Sequence, residues 1–393
     1  MNYFLSDEEK MIVETCRELA QKKIKPVREH YDAEGIFPWD IVKEMADLGL
    51  CGLYIPEEYG GMATQASGGK GIMQLVLSVE ELSKVCGGIS LAMAATALGT
   101  FPILLGATDA QKKKYLPDIA SGKKLAAFGL TEADAGSDAG SMRTTAVKKD
   151  GRYILNGTKQ WITNGGEAET YTVFAMTDKN KGTRGCSCFI VEKGMKGFTF
   201  GKKENKMGIR ASATRELIFQ DCEVPAENLL GGREGMGFIH AVGTLNHSRP
   251  GVAAQALGIA AGALDEALAY TRQREQFGTK ISSFQAVQHM LANMAVEVEA
   301  SRSLLYNVAR AVDGGATDFA KESAMAKYYA SEVAMRVTTN AVQIFGGYGY
   351  MKEYPVEKMM RDAKITQIYE GTSQIQLNEI AAKMIKESAA KKK

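Results

Sequence analysis

The sequence lacks the residue patterns of several common catalytic and binding sites. Its four histidines, His30, His240, His247 and His289, form no HExxH pair or other close spacing, which argues against a metal site. No GxxxxGK[ST] phosphate loop and no GxSxG nucleophile elbow occurs, and no glycine cluster completes GxGxxG after a strand. A nicotinamide-binding domain is therefore not expected, and the chemistry needs a different electrophile or redox partner.

The chain also lacks an excess of charge and any paired cysteines. Its 48 Lys and Arg nearly balance 46 Asp and Glu, so there is no broad basic face for nucleic acid. None of the six cysteines forms a CxxC pair, and the two close ones, Cys186 and Cys188, would face the same side of one strand. Buried free thiols in a reducing compartment are the expectation.

Targeting and membrane signals are absent as well. The first ten residues contain Asp7, Glu8 and Glu9 and have neither an apolar signal core nor an Arg-rich presequence. No uninterrupted apolar run reaches the roughly 18 residues that a membrane span needs. We expect a protein with no membrane span, cytoplasmic in a bacterium or, if a presequence has been removed, located in the mitochondrial matrix.

The hydrophobic period changes twice along the chain. Apolar residues first recur at helical spacing, and Ser6 ahead of Asp7–Glu9 has the form of a capping box. A middle region then alternates with period two between Asn-Gly, Asp-Gly and Lys-Gly turns, which predicts a barrel or a two-sheet sandwich. Long Ala-rich helical patterns follow and suit an antiparallel four-helix bundle. The prediction is an α+β protein with a helical domain at 1–124, a β domain at 125–235 and a helical bundle at 236–393.

One segment of the N-terminal region is unusual in having only small and apolar residues. Ser90–Gly99 contains no charged side chain. This suits a helix that packs closely against something flat, although an ordinary buried core helix has the same composition.

A lone carboxylate near the C-terminus is the strongest candidate for chemistry. Glu370 lies between apolar Ile365 and Ile368 and the small polar run Gly371–Gln374. Partial desolvation would raise its pKa and make it a stronger base than a surface Glu. Gly371 would allow a sharp turn after it. The same residues also describe a helix N-terminus capped by Thr372 or Ser373.

Two segments of the β region could hold a planar cofactor. Phe128–Asp138 joins a strand end to a polar, Gly-containing loop whose amides and hydroxyls could bind the carbonyls and nitrogens of a heteroaromatic ring. Trp161-Ile162-Thr163 offers an indole and, on the same face, a hydroxyl. A capped loop and a core tryptophan are the simpler readings of each segment alone.

Two further segments lie in the C-terminal region. Arg272–Gly278 places two guanidiniums beside an aromatic ring, a combination suited to a pyrophosphate, although a solvated helix end has the same residues. Gln343–Tyr350 exposes backbone where a helix breaks, so that a ligand or another chain could approach; a simple C-cap is the alternative.

The order and the amino-acid sequences of these segments resemble those of the acyl-CoA dehydrogenase family of flavoproteins, particularly its short-chain, butyryl-CoA branch. The resemblance covers essentially the whole chain. The matching segments, in family order and spacing, are Phe128–Asp138, Trp161–Thr163, Arg274–Gly278, Gln343–Tyr350, Arg361–Lys364 and Ile368–Gln376.

The resemblance implies an oxidoreductase of fatty acid metabolism, as in β-oxidation. Glu370 matches the family's catalytic base, which removes the α-proton of an acyl thioester while the β-hydrogen leaves as hydride to N5 of FAD. The amide of Glu370 and a flavin ribityl hydroxyl would hold the thioester carbonyl. Electrons would pass to an electron-transferring flavoprotein.

The resemblance also assigns binding residues. FAD-contacting positions correspond to Phe128, Leu130, Thr131, Ser137, Trp161, Ile162, Thr163, Arg274, Phe277, Gln285, Gln343, Gly346, Gly347, Thr372 and Gln374. Substrate-contacting positions correspond to Ser137, Asn246, Arg249 and Gly371. The residues from Arg274 to Gly347 contact FAD bound mainly to a neighbouring subunit, which implies a homotetramer built as a dimer of dimers.

One departure from the family pattern affects the substrate prediction. Where short- and medium-chain members usually have Asp, this chain has Asn246, followed by His247, a ring that could titrate near neutrality, and the retained Arg249. No Lys or Arg occurs in Val85–Gln111, which argues against a dicarboxyl substrate. The prediction is α,β-dehydrogenation of a short or compact acyl-CoA. One alternative is a dehydrogenase or an enoyl-CoA reductase that acts on a cyclic, branched or aromatic-derived acyl-CoA. The other is a non-catalytic flavoprotein that binds acyl-CoA.

Overall fold

A computed structural model describes residues 3–64 and 69–390. Its first part is helical: α1 Asp7–Leu19, α2 Arg28–Glu34, α3 Trp39–Asp47, α4 Ile72–Ser83, α5 Gly87–Gly106 and α6 Asp109–Ala120. The predicted capping box is confirmed, because the Glu9 amide donates to Ser6 Oγ at 3.1 Å and the Ser6 amide donates to the Glu9 carboxylate at 2.8 Å.

The middle of the chain forms a seven-stranded sheet. Its strands are β1 Ala126–Gly129, β2 Thr145–Lys149, β3 Arg152–Thr163, β4 Thr170–Met176, β5 Cys186–Glu192, β6 Phe198–Phe200 and β7 Thr214–Pro225. The hydrogen-bonded order is β1-β4-β2-β3-β7-β6, and β5 pairs with β4 outside this order. The sequence predicted a barrel or a two-sheet sandwich, and the strands form two halves, β1-β4-β5 and β2-β3-β7-β6, that among the described residues pair with each other only through Thr145 and Met176.

The last part is again helical. It contains α7 Gly237–Thr271, the short hairpin strands β8 Glu275–Gln276 and β9 Thr279–Lys280, α8 Gln285–Asp313, α9 Ala320–Phe345, α10 Pro355–Lys364 and α11 Ser373–Ala390. Helix α9 packs against α7, α8, α10 and α11, so that it forms the centre of the bundle. The three-part fold agrees with the sequence prediction, while the exact domain boundaries stay a prediction.

Helix α5 joins the helical and sheet regions. A Cβ on Gly99 would lie 2.4 Å from the Ala127 amide nitrogen, so only glycine lets α5 approach β1 this closely. Asn164, at the end of β3, donates from Nδ2 to the Ala92 carbonyl at 3.0 Å, and Thr172 on β4 donates to the Gly99 carbonyl at 3.1 Å. The small residues of Ser90–Gly99 thus pack against a flat sheet, as one reading of the sequence predicted.

The core also confirms the prediction for the cysteines, since all six are buried and free. Two helices, Gly87–Gly106 and Gly237–Thr271, are long and apolar enough to cross a membrane by length and composition alone. Their most apolar windows are 78% and 72% buried inside the protein, which is how core helices of a folded domain behave.

Candidate active site

The candidate base lies in a tight turn between α10 and α11. Glu370 has φ +51° and Gly371 has φ +93°, so two consecutive residues are left-handed. Thr372 Oγ1 then accepts a hydrogen bond from the Ile375 amide at 3.3 Å and caps α11. The two readings of this segment are therefore compatible: the helix is capped, and the turn before the cap presents Glu370.

The Glu370 side chain lines a small cavity, whose open volume of about 10 Å³ is room for roughly one water molecule. The cavity is lined by one residue of α4, four of α5, four of α7 and Glu370 itself: Leu75, Leu91, Ala94, Ala97, Phe101, Ser248, Gly251, Val252 and Gln255. The α5 side is wholly apolar. Among the described residues that line the cavity, none is Lys or Arg.

The environment of the Glu370 carboxyl shifts its pKa in the direction that the sequence predicted. Burial raises this pKa, and three groups partly oppose the rise: a hydrogen bond from Ser248 Oγ and the positive charges of Lys327 and Arg249. A carboxylate with a raised pKa beside an apolar cavity is a suitable base for abstracting a carbon-bound proton.

The departure Asn246-His247-Ser248 has a structural explanation. Arg249 is 6% exposed, and its Nη1 donates to Asn246 Oδ1 at 3.0 Å, so that Asn246 supplies a neutral acceptor. The His247 ring packs between Phe101 and Phe319, and burial lowers its pKa. His247 therefore packs between two aromatic rings, and its burial favours the neutral form of the imidazole.

The candidate flavin segments meet at the ends of β1 and β3. The Gln160 amide donates to the Thr131 carbonyl at 2.8 Å and ties the loop after β1 to β3. Trp161 is 58% exposed with φ +60°, whereas Ile162 is 3% exposed, so Ile162 could meet a ligand only through its backbone. Thr131, Thr163 and Phe128 are half-buried, Leu130 is buried and Ser137 is exposed.

A buried ion pair supports the loop that follows β1. Lys159 is 0% exposed and donates to the Leu130 carbonyl at 3.0 Å and to Glu132 Oε1 at 2.7 Å. The Glu132 carboxylate also accepts from the amides of Arg143, at 2.6 Å, and Thr144, at 2.9 Å. Although burial opposes ionisation, the attraction of Lys159 and these hydrogen bonds lower the pKa of Glu132. The backbone at Leu130 and Thr131 is thus held from two sides.

An exposed indole beside two accessible threonine hydroxyls fits a planar, hydrogen-bonding cofactor such as an isoalloxazine. Trp161 does not itself line the Glu370 cavity. Helix α5 connects the two places, because Leu91, Ala94 and Ala97 line the cavity and Ala92 and Thr96 accept from Asn164, next to Thr163.

The other residues predicted to contact FAD form a separate group near the C-terminal ends of α7 and α9. Arg274, Gly346 and Gly347 line one open depression, where the Arg274 guanidinium lies 5.4 Å from the centre of the Tyr348 ring. Phe277 is 94% exposed at the tip of the β8–β9 hairpin. Gln285 and Gln343 are also exposed. Within one chain these residues do not line the Glu370 cavity. Thr372 and Gln374 stand beside Glu370, and Gln374 is exposed.

Sequence reasoning missed several residues that shape the site: Glu132, Lys159, Asn164, Ser248, Lys327 and Gln376. One signal was available for Lys327, which is four residues after Ser323 and three before Ala330 on the buried face of α9. A charged residue at such a helical position indicates a specific partner. The partners of Lys159 and Asn164 depend on tertiary contacts and left no local signal.

Comparison with known proteins agrees with the three-part fold. The acyl-CoA dehydrogenase N-terminal domain matches residues 6–123, the middle domain 127–222 and the C-terminal domain 235–385. A short-chain specific acyl-CoA dehydrogenase of Clostridium acetobutylicum is 47% identical over 98% of this chain and 100% of its own. An acryloyl-CoA reductase (NADH) of Anaerotignum propionicum is 46% identical over 98% of this chain and 96% of its own.

Two solved structures share the fold. Butyryl-CoA dehydrogenase from Megasphaera elsdenii has a TM-score of 0.94 and 48% identity, covering 98% of this chain and 100% of that one. A chain from a structural study of the electron transferring flavoprotein of Acidaminococcus fermentans has a TM-score of 0.94 and 51% identity, covering 98% of this chain and 99% of that one. The chain therefore belongs to the acyl-CoA dehydrogenase family of flavoprotein oxidoreductases.

Proposed function

We propose that this protein is an FAD-dependent dehydrogenase that converts a short or compact acyl-CoA to its 2-enoyl-CoA, with Glu370 as the α-proton base. The observation that carries this proposal is the Glu370 carboxyl, whose pKa burial raises, facing a small cavity with an apolar α5 wall. A non-catalytic acyl-CoA-binding protein would not need a carboxylate at the head of such a cavity.

FAD would be held by the loop after β1 and the end of β3. Thr131 and Thr163 offer hydroxyls, Trp161 offers a ring face, and Leu130 and Ile162 offer backbone groups. When bound, FAD supplies the acceptor for the hydride that leaves the β-carbon. The protein's own contribution is to position the thioester, to take the α-proton on the Glu370 carboxylate and to keep the acyl chain among apolar side chains.

The exposed group at the ends of α7 and α9 supports the proposal of a shared cofactor site. Arg274, Phe277, Gln285, Gln343, Gly346 and Gly347 would contact FAD bound to a neighbouring subunit of a homotetramer. An electron-transferring flavoprotein is the proposed electron acceptor, and the Acidaminococcus match supports it. The reported relatives are bacterial, which supports the cytoplasmic location proposed from the sequence.

The cavity supports a short, uncharged acyl group. Leu91, Phe101 and the two alanines of α5 give the cavity an apolar wall, and the lining offers no basic side chain for a second carboxylate. The named short-chain and butyryl-CoA relatives point the same way.

The reverse reaction is a second candidate, because one relative at 46% identity is an acryloyl-CoA reductase. The same site would serve both directions: a protonated Glu370 would deliver the α-proton, and reduced FAD, when bound, would supply the hydride. The potential of the electron partner then decides the direction.

A substrate panel tests the proposal. Purified protein reconstituted with FAD is mixed anaerobically with butyryl-, isobutyryl-, cyclohexanoyl- and glutaryl-CoA, and flavin absorbance is followed. We expect rapid bleaching by butyryl-CoA and little by glutaryl-CoA. Protein that cannot be reconstituted with FAD, or flavin that none of the four thioesters bleaches, would contradict the dehydrogenase assignment. Reoxidation of reduced enzyme by crotonyl-CoA tests the reverse direction.

A further inference from the structure

We propose that Lys327 and Gln376 are positioning residues that hold the Glu370–Gly371 turn so that the Glu370 carboxylate faces the cavity. This inference rests on the proposed function, because it concerns how the side chain of the proposed base is oriented.

The turn needs support because its backbone is unfavourable. A non-glycine residue such as Glu370 rarely adopts φ +51°, and such conformations persist only when surrounding contacts determine them. Gly371 follows with φ +93°, and a Cβ there would lie 2.5 Å from Gln376 Nε2. Any relaxation of this turn would move the carboxylate away from the cavity.

Two buried side chains from different helices hold the carbonyls of this turn. Lys327 on α9 donates from Nζ to the Gly371 carbonyl at 2.6 Å. Gln376 on α11 donates from Nε2 to the carbonyls of Glu370 and Gly371, both at 3.0 Å. Lys327 and Gln376 are each 0% exposed. With both carbonyls directed toward these donors, the peptide groups of the turn are held in a single orientation.

The charge of Lys327 adds an electrostatic effect. The charged groups that act on Lys327 are Glu370, Arg249 from α7 and Glu332 from its own helix, and burial lowers the Lys327 pKa to about 8. The Glu370 carboxyl is stabilised in its ionised form by Lys327 and Arg249 together. Glu332 also stabilises the segment around Glu370, because its Oε1 accepts hydrogen bonds from Ser373 Oγ at 2.9 Å and from Gln367 Nε2 at 2.7 Å.

The test compares Lys327→Met with Lys327→Arg and with the control Lys321→Met. Lys321 lies on the same helix and pairs at 2.7 Å with Glu387 at the surface. Each holoenzyme is assayed for FAD content, thermal midpoint and the rate of anaerobic flavin bleaching by butyryl-CoA as a function of pH. Should Lys327→Met fail to fold, Lys327→Gln replaces it.

We expect Lys327→Met to keep its FAD but to bleach on the order of 100-fold more slowly, because misplacement of a reacting group by about 1 Å costs this much. Its pH midpoint should rise, because loss of a positive charge disfavours the ionised carboxylate. Lys327→Arg should recover part of the rate, and Lys321→Met should match wild type. Wild-type rate and midpoint in Lys327→Met would overturn the inference alone, whereas wild-type protein that no acyl-CoA bleaches would overturn the proposed function as well.

Discussion

At the scale of single residues, the site is defined by how the surroundings of Glu370 balance its charge. Burial raises the pKa of this carboxyl, and Ser248, Lys327 and Arg249 limit the rise. The carboxylate is therefore a stronger base than that of a surface glutamate, as its proposed role requires. Since only the ionised form can accept the α-proton, the rate should fall as pH decreases through a midpoint above the ordinary glutamate value.

Ser248→Ala tests this balance. The variant removes the hydrogen bond that favours the ionised carboxylate, so the pH midpoint of flavin bleaching should move upward by about one to two pH units, the equivalent of a charged hydrogen bond of roughly 1.5–3 kcal/mol. The measurement is the pH profile of bleaching by butyryl-CoA. The exposed Ser121→Ala should leave the profile unchanged, and an unshifted midpoint in Ser248→Ala would count against this role.

At the scale of elements, the sequence predicted the helical, β and helical regions because the hydrophobic period changes between them. All seven strands of the sheet, from Ala126 to Pro225, lie in the region predicted to be β, and α7 begins at Gly237. The end of β3 was harder to predict from the sequence, because its register shifts against β7 between Lys159 and Ile162. That irregularity buries two consecutive polar residues, Lys159 and Gln160. Lys159 pairs with Glu132, 27 residues earlier in the chain, and no local pattern reveals that partner.

The Lys159–Glu132 pair yields a stability prediction at this scale. Lys159→Met leaves the largely buried Glu132 carboxylate without its counter-charge, which should lower the free energy of unfolding by about 3–5 kcal/mol. Chemical denaturation of the apoprotein measures the change. Lys196→Met, which removes a pair whose lysine is 82% exposed, should cost no more than about 0.5 kcal/mol. Equal effects of the two substitutions would show that the buried pair does not stabilise the loop.

At the scale of the whole molecule, the site is built where the three parts of the chain meet. Helix α5 from the first part supplies the apolar wall, the ends of β1 and β3 supply the proposed flavin surface, and α7 and the Glu370 turn complete the cavity. Local patterns predicted each part, whereas their meeting point followed only from the family resemblance. The group around Arg274 and Phe277 stays outside the cavity within one chain, which supports the proposed sharing of FAD between subunits.

Phe277→Ala tests that sharing. The ring is 94% exposed in a single chain, so it can contribute only if a neighbouring subunit or its cofactor covers it. Burial of a Phe side chain stabilises by roughly 1.5–3 kcal/mol, so FAD should dissociate about 10- to 100-fold more readily from the variant. Flavin content after gel filtration and the mass of the eluting species are measured together. The exposed Val147→Ala is the control, and unchanged flavin retention in Phe277→Ala would argue against a shared site.

The central claim is that Glu370 removes the α-proton, and flavin bleaching in Glu370→Gln tests it most directly. The control is Glu387→Gln, which changes an exposed carboxylate on α11 that pairs with Lys321. We predict that Glu370→Gln keeps its flavin absorbance but is not bleached by butyryl-CoA under anaerobic conditions, while Glu387→Gln bleaches as fast as wild type. Bleaching of Glu370→Gln at the wild-type rate would place the base on another residue and contradict the account.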